Sequence, residues 1–142
     1  MNKTDAREVL EAIATRDQGV PAQALERLGD KETLLLISAA VGVASEMNFQ
    51  PGGDPVVVTQ FADMMQQRYA DRYGIKPRVV EALVRAALGE DELLADVAGE
   101  DVLSTGMLVV YEILSERHLG VVDLSDFYNE VLELAEEFEA AT

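Results

Sequence analysis

Eleven consecutive residues without a charge, Leu34 to Ala44, sit inside a chain that is otherwise densely charged. A membrane span needs about 20 apolar residues; this run is shorter, has Glu32 and Glu46 close outside its ends, and contains Ser38 and Gly42. It therefore reads as a buried helix that the rest of the chain must cover on nearly every side. Ala39, Ala40, Gly42 and Ala44 are small enough to let neighbouring helices come close. Glycine inside a helix costs about 1 kcal/mol against alanine, so Gly42 is expected to mark a tight contact.

The chain has the means to provide that cover. At 142 residues it forms one domain, long enough to bury roughly 70% of the surface that its unfolded form exposes. Its formal charge is −16, from 27 acidic and 11 basic residues, yet 49% of it is hydrophobic. Disordered acidic chains are poor in apolar residues, so this one is expected to fold with its carboxylates outside. Such a surface is repelled by phosphate backbones and anionic membranes, which argues against nucleic-acid and membrane partners and for a basic protein partner. There is no cysteine, which removes disulfides, thiolate metal sites and thiol nucleophiles, and fits a reducing compartment. Met1-Asn2-Lys3-Thr4-Asp5 leads into a charged amphipathic pattern with no apolar leader, and a cytoplasmic location is expected.

Apolar spacing and helix punctuation predict an all-α bundle of about eight helices, two of them short. Thr4 is expected to cap a first helix over 5–17, and Gly19-Val20-Pro21 to separate it from a short one over 21–28 that stops at Gly29. Asp30 then caps a helix over 31–48, containing the uncharged run. After the break at 49–54, Asp54-Pro55 starts a helix reaching Tyr73 and Gly74, and Pro77 starts another that ends at Gly89. A short acidic helix over 90–98 stops at Gly99. Helices over 101–118 and from Asp123 or Ser125 onward complete the set, the last with Leu124, Phe127, Val131, Leu134 and Phe138 along one seam. No stretch alternates with a period of two, so no sheet is expected.

Sliding the chain by 70 residues pairs Val9 with Val79, Glu11 with Glu81, Ala12 with Ala82, Gly19 with Gly89, Gly29 with Gly99, and Ser45-Glu46 with Ser115-Glu116. The order of helix types repeats as well, which suggests an internal duplication with similar halves at 1–73 and 74–142. On that register Leu34–Ala44 corresponds to Ser104–Leu114, and these two helices are expected to be the most buried and to touch.

Catalytic signatures are missing: no phosphate loop, dinucleotide fingerprint or nucleophile elbow is present. His118, the only histidine, has Glu116, Asp123 and Asp126 nearby, but at a helix C-terminus it reads first as a partner of the dipole and the free carbonyls. The acidic runs at 89–92 and 99–101 lack the calcium-loop pattern. No cofactor and no metal are expected.

Charge distribution carries the functional expectation. From Glu90 to Thr142 there are 15 acidic residues against one basic residue, Arg117, so the C-terminal part is where a basic partner would be drawn. On the last helix Glu130, Glu133 and Glu137 are the candidate contacts. Basic residues concentrate between Arg68 and Arg85, where Arg68, Tyr69, Arg72 and Arg78 form a candidate anion or ligand patch. The chain is thus expected to be a non-enzymatic, acidic interaction or regulatory module of adaptor, inhibitor or immunity-like type. The alternatives are a structural homo-oligomer using the Val56–Met65 face or the Phe127 and Phe138 seam, and a small-molecule or catalytic site between the halves near Tyr69, Arg72, Tyr111 and His118.

Overall fold

The computed structural model of the chain describes residues 1–15 and 21–142; the side chains of Ala70, Arg72 and Tyr73 also lie outside the description. Among the described residues the fold is entirely helical. Six α-helices, α1 (Lys3–Thr15), α2 (Ala22–Asn48), α3 (Pro55–Tyr73), α4 (Pro77–Ala87), α5 (Gly99–Arg117) and α6 (Val121–Ala141), are joined by one 3-10 helix, Asp91–Asp96.

Two of the expected helices follow one another within α2: Gly29, with φ 82° and ψ 167°, a conformation open almost exclusively to glycine, breaks the helix at the expected stop. The chain turns there and resumes without a loop. Just past the bend, the Thr33 hydroxyl donates to the Gly29 carbonyl at 2.7 Å. The short acidic helix expected over 90–98 is the 3-10 helix, none of whose residues is fully buried; it lies against α4 and packs only the half-buried Leu94 against the core.

Helix starts follow local chemistry, with two shifts from expectation. The Asp54 side chain accepts from the Val56 N–H at 3.0 Å and Pro55 opens α3, while Gly74 ends it in the left-handed region. At α1, however, the cap is Asn2 rather than Thr4: its side-chain oxygen accepts from the Asp5 N–H at 3.1 Å, so the helix begins earlier. At α6 the cap position is Gly120, and neither Asp123 nor Ser125 serves; the Ser125 hydroxyl accepts instead from Arg7. The expected end of the first helix and the Gly19 stop lie outside the described residues.

The uncharged run is the centre of the core. Leu36, Ile37, Ala39, Ala40, Val41 and Ala44 are all buried. They face the apolar stretch of α5, where Val109, Val110 and Ile113 are equally enclosed. Contact between the two helices is closest at Gly106: a methyl group built there would lie 2.8 Å from Ile37 Cγ2 and 3.2 Å from Val41 Cγ2. Further along, Arg117 Nη1 donates to the Met47 carbonyl at 2.9 Å, so α2 and α5 run in the same direction. α1 and α4 each lie against both of them, α3 lies on α4, and α6 lies on α2 and α1. Large side chains such as Leu10, Leu36, Met65 and Ile113 are fully buried, each contributing about 1.5–3 kcal/mol through removal from water.

Ion pairs pin the periphery. Arg27 Nε reaches the buried Asp5 carboxylate at 2.9 Å, fixing the first arm of α2 to the start of α1. α6 returns antiparallel to α1, with the Met1 ammonium on Glu139 at 3.2 Å, Lys3 on Glu136 at 3.0 Å, and Arg7 on Ser125 at 3.2 Å. Arg7 also stacks over the Tyr128 ring, 5.1 Å from its centroid.

Candidate binding surface on the last helix

These contacts with α1 divide the carboxylates of α6 into two sets. Glu136 and Glu139 face α1 and are paired with its cations. Asp123, Asp126, Glu130, Glu133 and Glu137 recur at spacings of three and four, which places them on one side of the helix, and all five are exposed. Among the described residues none of the five has a cationic group within 4.0 Å. The three glutamates expected from sequence to meet a partner, Glu130, Glu133 and Glu137, belong to this free row; Asp123 and Asp126 extend it.

An apolar edge borders the row. Phe127, Leu134 and Phe138 follow one another down the flank of α6 that turns toward α2, and two depressions open against that flank. One, of about 340 Å³, is walled by the apolar Val43, Met47, Leu119 and Phe127 and by the charged Arg117, Asp123, Asp126 and Glu130. The other, of about 290 Å³, lies between α2, α4 and α6, with Gly42, Leu83, Ala87, Leu94, Leu134 and Phe138 in its wall. Gly42 lies in the wall of the second, where a methyl group in its place would stand at an ordinary 3.4 Å from Leu134 Cδ2. At the N-terminal end of the same helix Val121 and Val122 are 86% and 72% exposed, an unusual display for branched apolar side chains.

The expected basic patch looks different in three dimensions. Glu112, in the middle of α5, is 2% exposed, and Arg68 and Tyr69 of α3 converge on it. Arg68 Nη1 donates to one carboxylate oxygen at 2.5 Å, and the Tyr69 hydroxyl donates to the other at 2.8 Å. Glu116 lies 3.8 Å from the same guanidinium. Arg68 and Tyr69 are therefore occupied in holding α3 to the central helix. Arg78 is exposed near the start of α4, and the Arg72 side chain lies outside the described residues.

Burial first, then the hydrogen bond to Glu112 and its charge, raise the Tyr69 phenol well above its ordinary value of about 10. Because the folded state holds this proton more tightly than the unfolded state, the resulting stability is intact below pH ~10. It is lost as pH rises from there through the folded value. Ultraviolet titration of the phenolate absorbance checks the cause: Glu112→Gln should bring the Tyr69 midpoint back toward that of a free tyrosine, while leaving raised the Tyr128 phenol, which burial holds up.

His118 ends α5 in the left-handed region, at φ 49° and ψ 49°, exposed to solvent. Among the described residues no group of three or more histidine or carboxylate side chains is placed to hold a metal ion, and no helix is long and apolar enough to cross a membrane. A third depression, of about 520 Å³, includes Asn48, Asp54, Val57 and Arg85 in its wall. There Arg85 grips Glu90 through two hydrogen bonds of 2.7 and 2.8 Å, which hold the Glu90 carboxyl below its usual range.

Sequence alone points to the α6 glutamates through charge density but misses Glu112. The signal is present: Glu112 is the single charge between Asp101 and Glu116 in an otherwise uncharged stretch of α5, and a carboxylate in such a run needs a partner. The depressions beside α6 leave no trace in sequence, since their walls come from residues spread over several helices. Comparison of the chain with protein-family models, with characterised protein sequences and with solved structures finds no match.

Proposed function

We propose that the protein is a non-enzymatic binding module that takes a basic protein surface on the outer side of α6. The observation that carries this reading is the row Asp123, Asp126, Glu130, Glu133 and Glu137, five exposed carboxylates with no cationic group within 4.0 Å among the described residues. Asp123 is favoured by the first turn of α6, but along the rest of the row like charges repel, and a cationic surface laid along it recovers that energy. The net charge of −16 supplies long-range attraction for the encounter, and the mainly apolar depression between α2, α4 and α6 offers burial once contact is made. The same charge opposes pairing of two copies through this side of the molecule.

The test is capture with the wild-type chain and with the charge-reversed variant Glu130→Lys, Glu133→Lys, Glu137→Lys, followed by identification of what each retains. These side chains are exposed, so the variant keeps its fold and its thermal transition. The wild type should retain proteins with basic surfaces, less so as salt is raised, and the variant should retain at least tenfold less of them. Equal retention of the same proteins by both chains would remove the reading.

A further inference from the structure

We propose that the depression between α2, α4 and α6 is a binding site for a small organic ammonium ion with a compact apolar body. The inference goes beyond the reading of α6 as a face for a basic protein, since no carboxylate of the exposed row lines this depression.

The depression exists because two parts of the chain share one support. α4, with the 3-10 helix that follows it, and α6 both depend on α2: α4 and α6 lie against it side by side and do not pack closely on one another. The gap between them is walled by Val41 of α2, by Leu83 and Leu94 on one side, and by Leu134 and Phe138 on the other. At about 290 Å³ it has the room of roughly ten water molecules, at ~30 Å³ each. One ring or a short branched chain fills that space.

The wall sorts ligands by charge. Apart from the Ser38 hydroxyl, its polar side chains are those of Glu46, near the end of α2, and Asp91, which opens the 3-10 helix. Both are exposed, and among the described residues neither has a cationic group within 4.0 Å. No lysine, arginine or histidine lines the depression.

An anion entering it meets two like charges as well as the net charge of −16. A neutral apolar molecule gains burial but leaves both carboxylates unanswered. An ammonium group on an apolar body uses both parts of the site. The body leaves water against the leucines and Phe138, while the charged head stays at the exposed carboxylates, where it keeps much of its hydration. A bare metal ion is the poorer occupant: it makes no use of the apolar wall, and among the described residues no three carboxylates or histidines converge to hold one.

The test titrates four probes into the intact protein at low salt and follows the methyl resonances of Leu83, Leu94 and Leu134. They are 2-phenylethylamine, the neutral 2-phenylethanol, the anionic 3-phenylpropionate, and methylammonium, which is the cation without a body. The amine should move these methyls at a concentration about tenfold below the alcohol, two exposed carboxylates each contributing up to a factor of ~5. The other two probes should leave them still. Saturation with the amine should also raise the thermal midpoint, as a ligand of the folded state does. In the Glu46→Gln, Asp91→Asn variant, changed only at exposed positions, the amine should fall to the level of the alcohol. Ala87→Phe, which places a ring in the depression, should remove the response to both. Methyls that do not move with the amine, an equal response to amine and alcohol, or an amine response that survives the double substitution would each overturn the site. A response to methylammonium as strong as that to the amine would mean that net charge alone collects cations, and would overturn it too. None of these results bears on the capture test at Glu130, Glu133 and Glu137, which lie outside this depression.

Discussion

Gly106→Val should lower the stability of the fold by about 3 kcal/mol or more, the upper end of what overpacking costs. In a chain of this size that corresponds to a fall of roughly 10 °C in the thermal midpoint. The β-carbon alone would lie 2.8 Å from Ile37 Cγ2, inside any real contact distance, with Val41 Cγ2 at 3.2 Å behind it. Ile37 and Val41 are themselves buried at 0% and 2% exposure and branched at Cβ, so neither can swing away. The two central helices would have to separate. Gly106→Ala should lose less, because the improved helix propensity returns about 1 kcal/mol. In the double variant Gly106→Ala, Ile37→Ala the two losses should fall short of their sum, since removing the isoleucine methyl relieves the clash. Gly42→Ala, on the facing helix, is the control. Its added methyl would meet Leu134 Cδ2 at an ordinary 3.4 Å, and it should leave stability unchanged or raise it by up to about 1 kcal/mol. Denaturant titration of these four variants and of Ile37→Ala alone reads all these values.

The second large effect belongs to Glu112. Removing its partner with Arg68→Ala should cost about 2 kcal/mol, less than the 3–5 typical for breaking a fully buried pair, because the Arg68 side chain is 52% exposed and water screens part of the interaction. Glu112, at 2% exposure, is then left with the Tyr69 hydroxyl as its remaining donor among the contacts described above. Glu112→Met removes the carboxylate itself and should change stability by no more than about 1 kcal/mol, since Arg68 can turn to solvent and the thioether fills the same space. The double variant should resemble Glu112→Met alone. An Arg68→Ala protein as stable as the wild type would mean that the ion pair merely decorates the contact between α3 and α5.

Helix positions were largely readable because the signals that set them are local. Asp54-Pro55, Gly74 and Pro77 act within one turn of where they stand, and the structure places helix ends at each. The uncharged run could be identified as central because the helix face it buries, Leu36, Ile37, Ala39, Ala40, Val41 and Ala44, leaves no room for a charge, although Leu34, Leu35, Ser38, Gly42 and Val43 stay half-buried on the other side. The shifts came where two local signals compete. Asn2 takes the cap that Thr4 was also suited to, and α6 starts at Val121 behind an extended Gly120, ahead of both Asp123 and Ser125, the latter bonded to Arg7.

The site was readable only in its charge. Glu130, Glu133 and Glu137 stand out by density, but whether a carboxylate is free depends on which cations the fold brings near. Glu136 and Glu139 look the same in sequence and are paired. Arg68 and Tyr69 show the converse: side chains that suggest a receptor for anions are taken up by a glutamate 44 and 43 positions away. Gly106 gave no warning either. It sits among Thr105, Met107 and Leu108 like any residue of an apolar helix, and its importance lies in what another helix places against it.

The bend at Gly29 bears on ancestry. Surface positions of such a chain can drift through many substitutions without harm, but a backbone at φ 82° and ψ 167° accepts essentially one amino acid. Descendants that keep the bend must keep glycine there, long after overall identity has faded. A glycine joining two helical segments, followed by an eleven-residue uncharged run and later by a second apolar helix with a glycine near its middle, is thus an inheritance mark that can be sought in distant genomes.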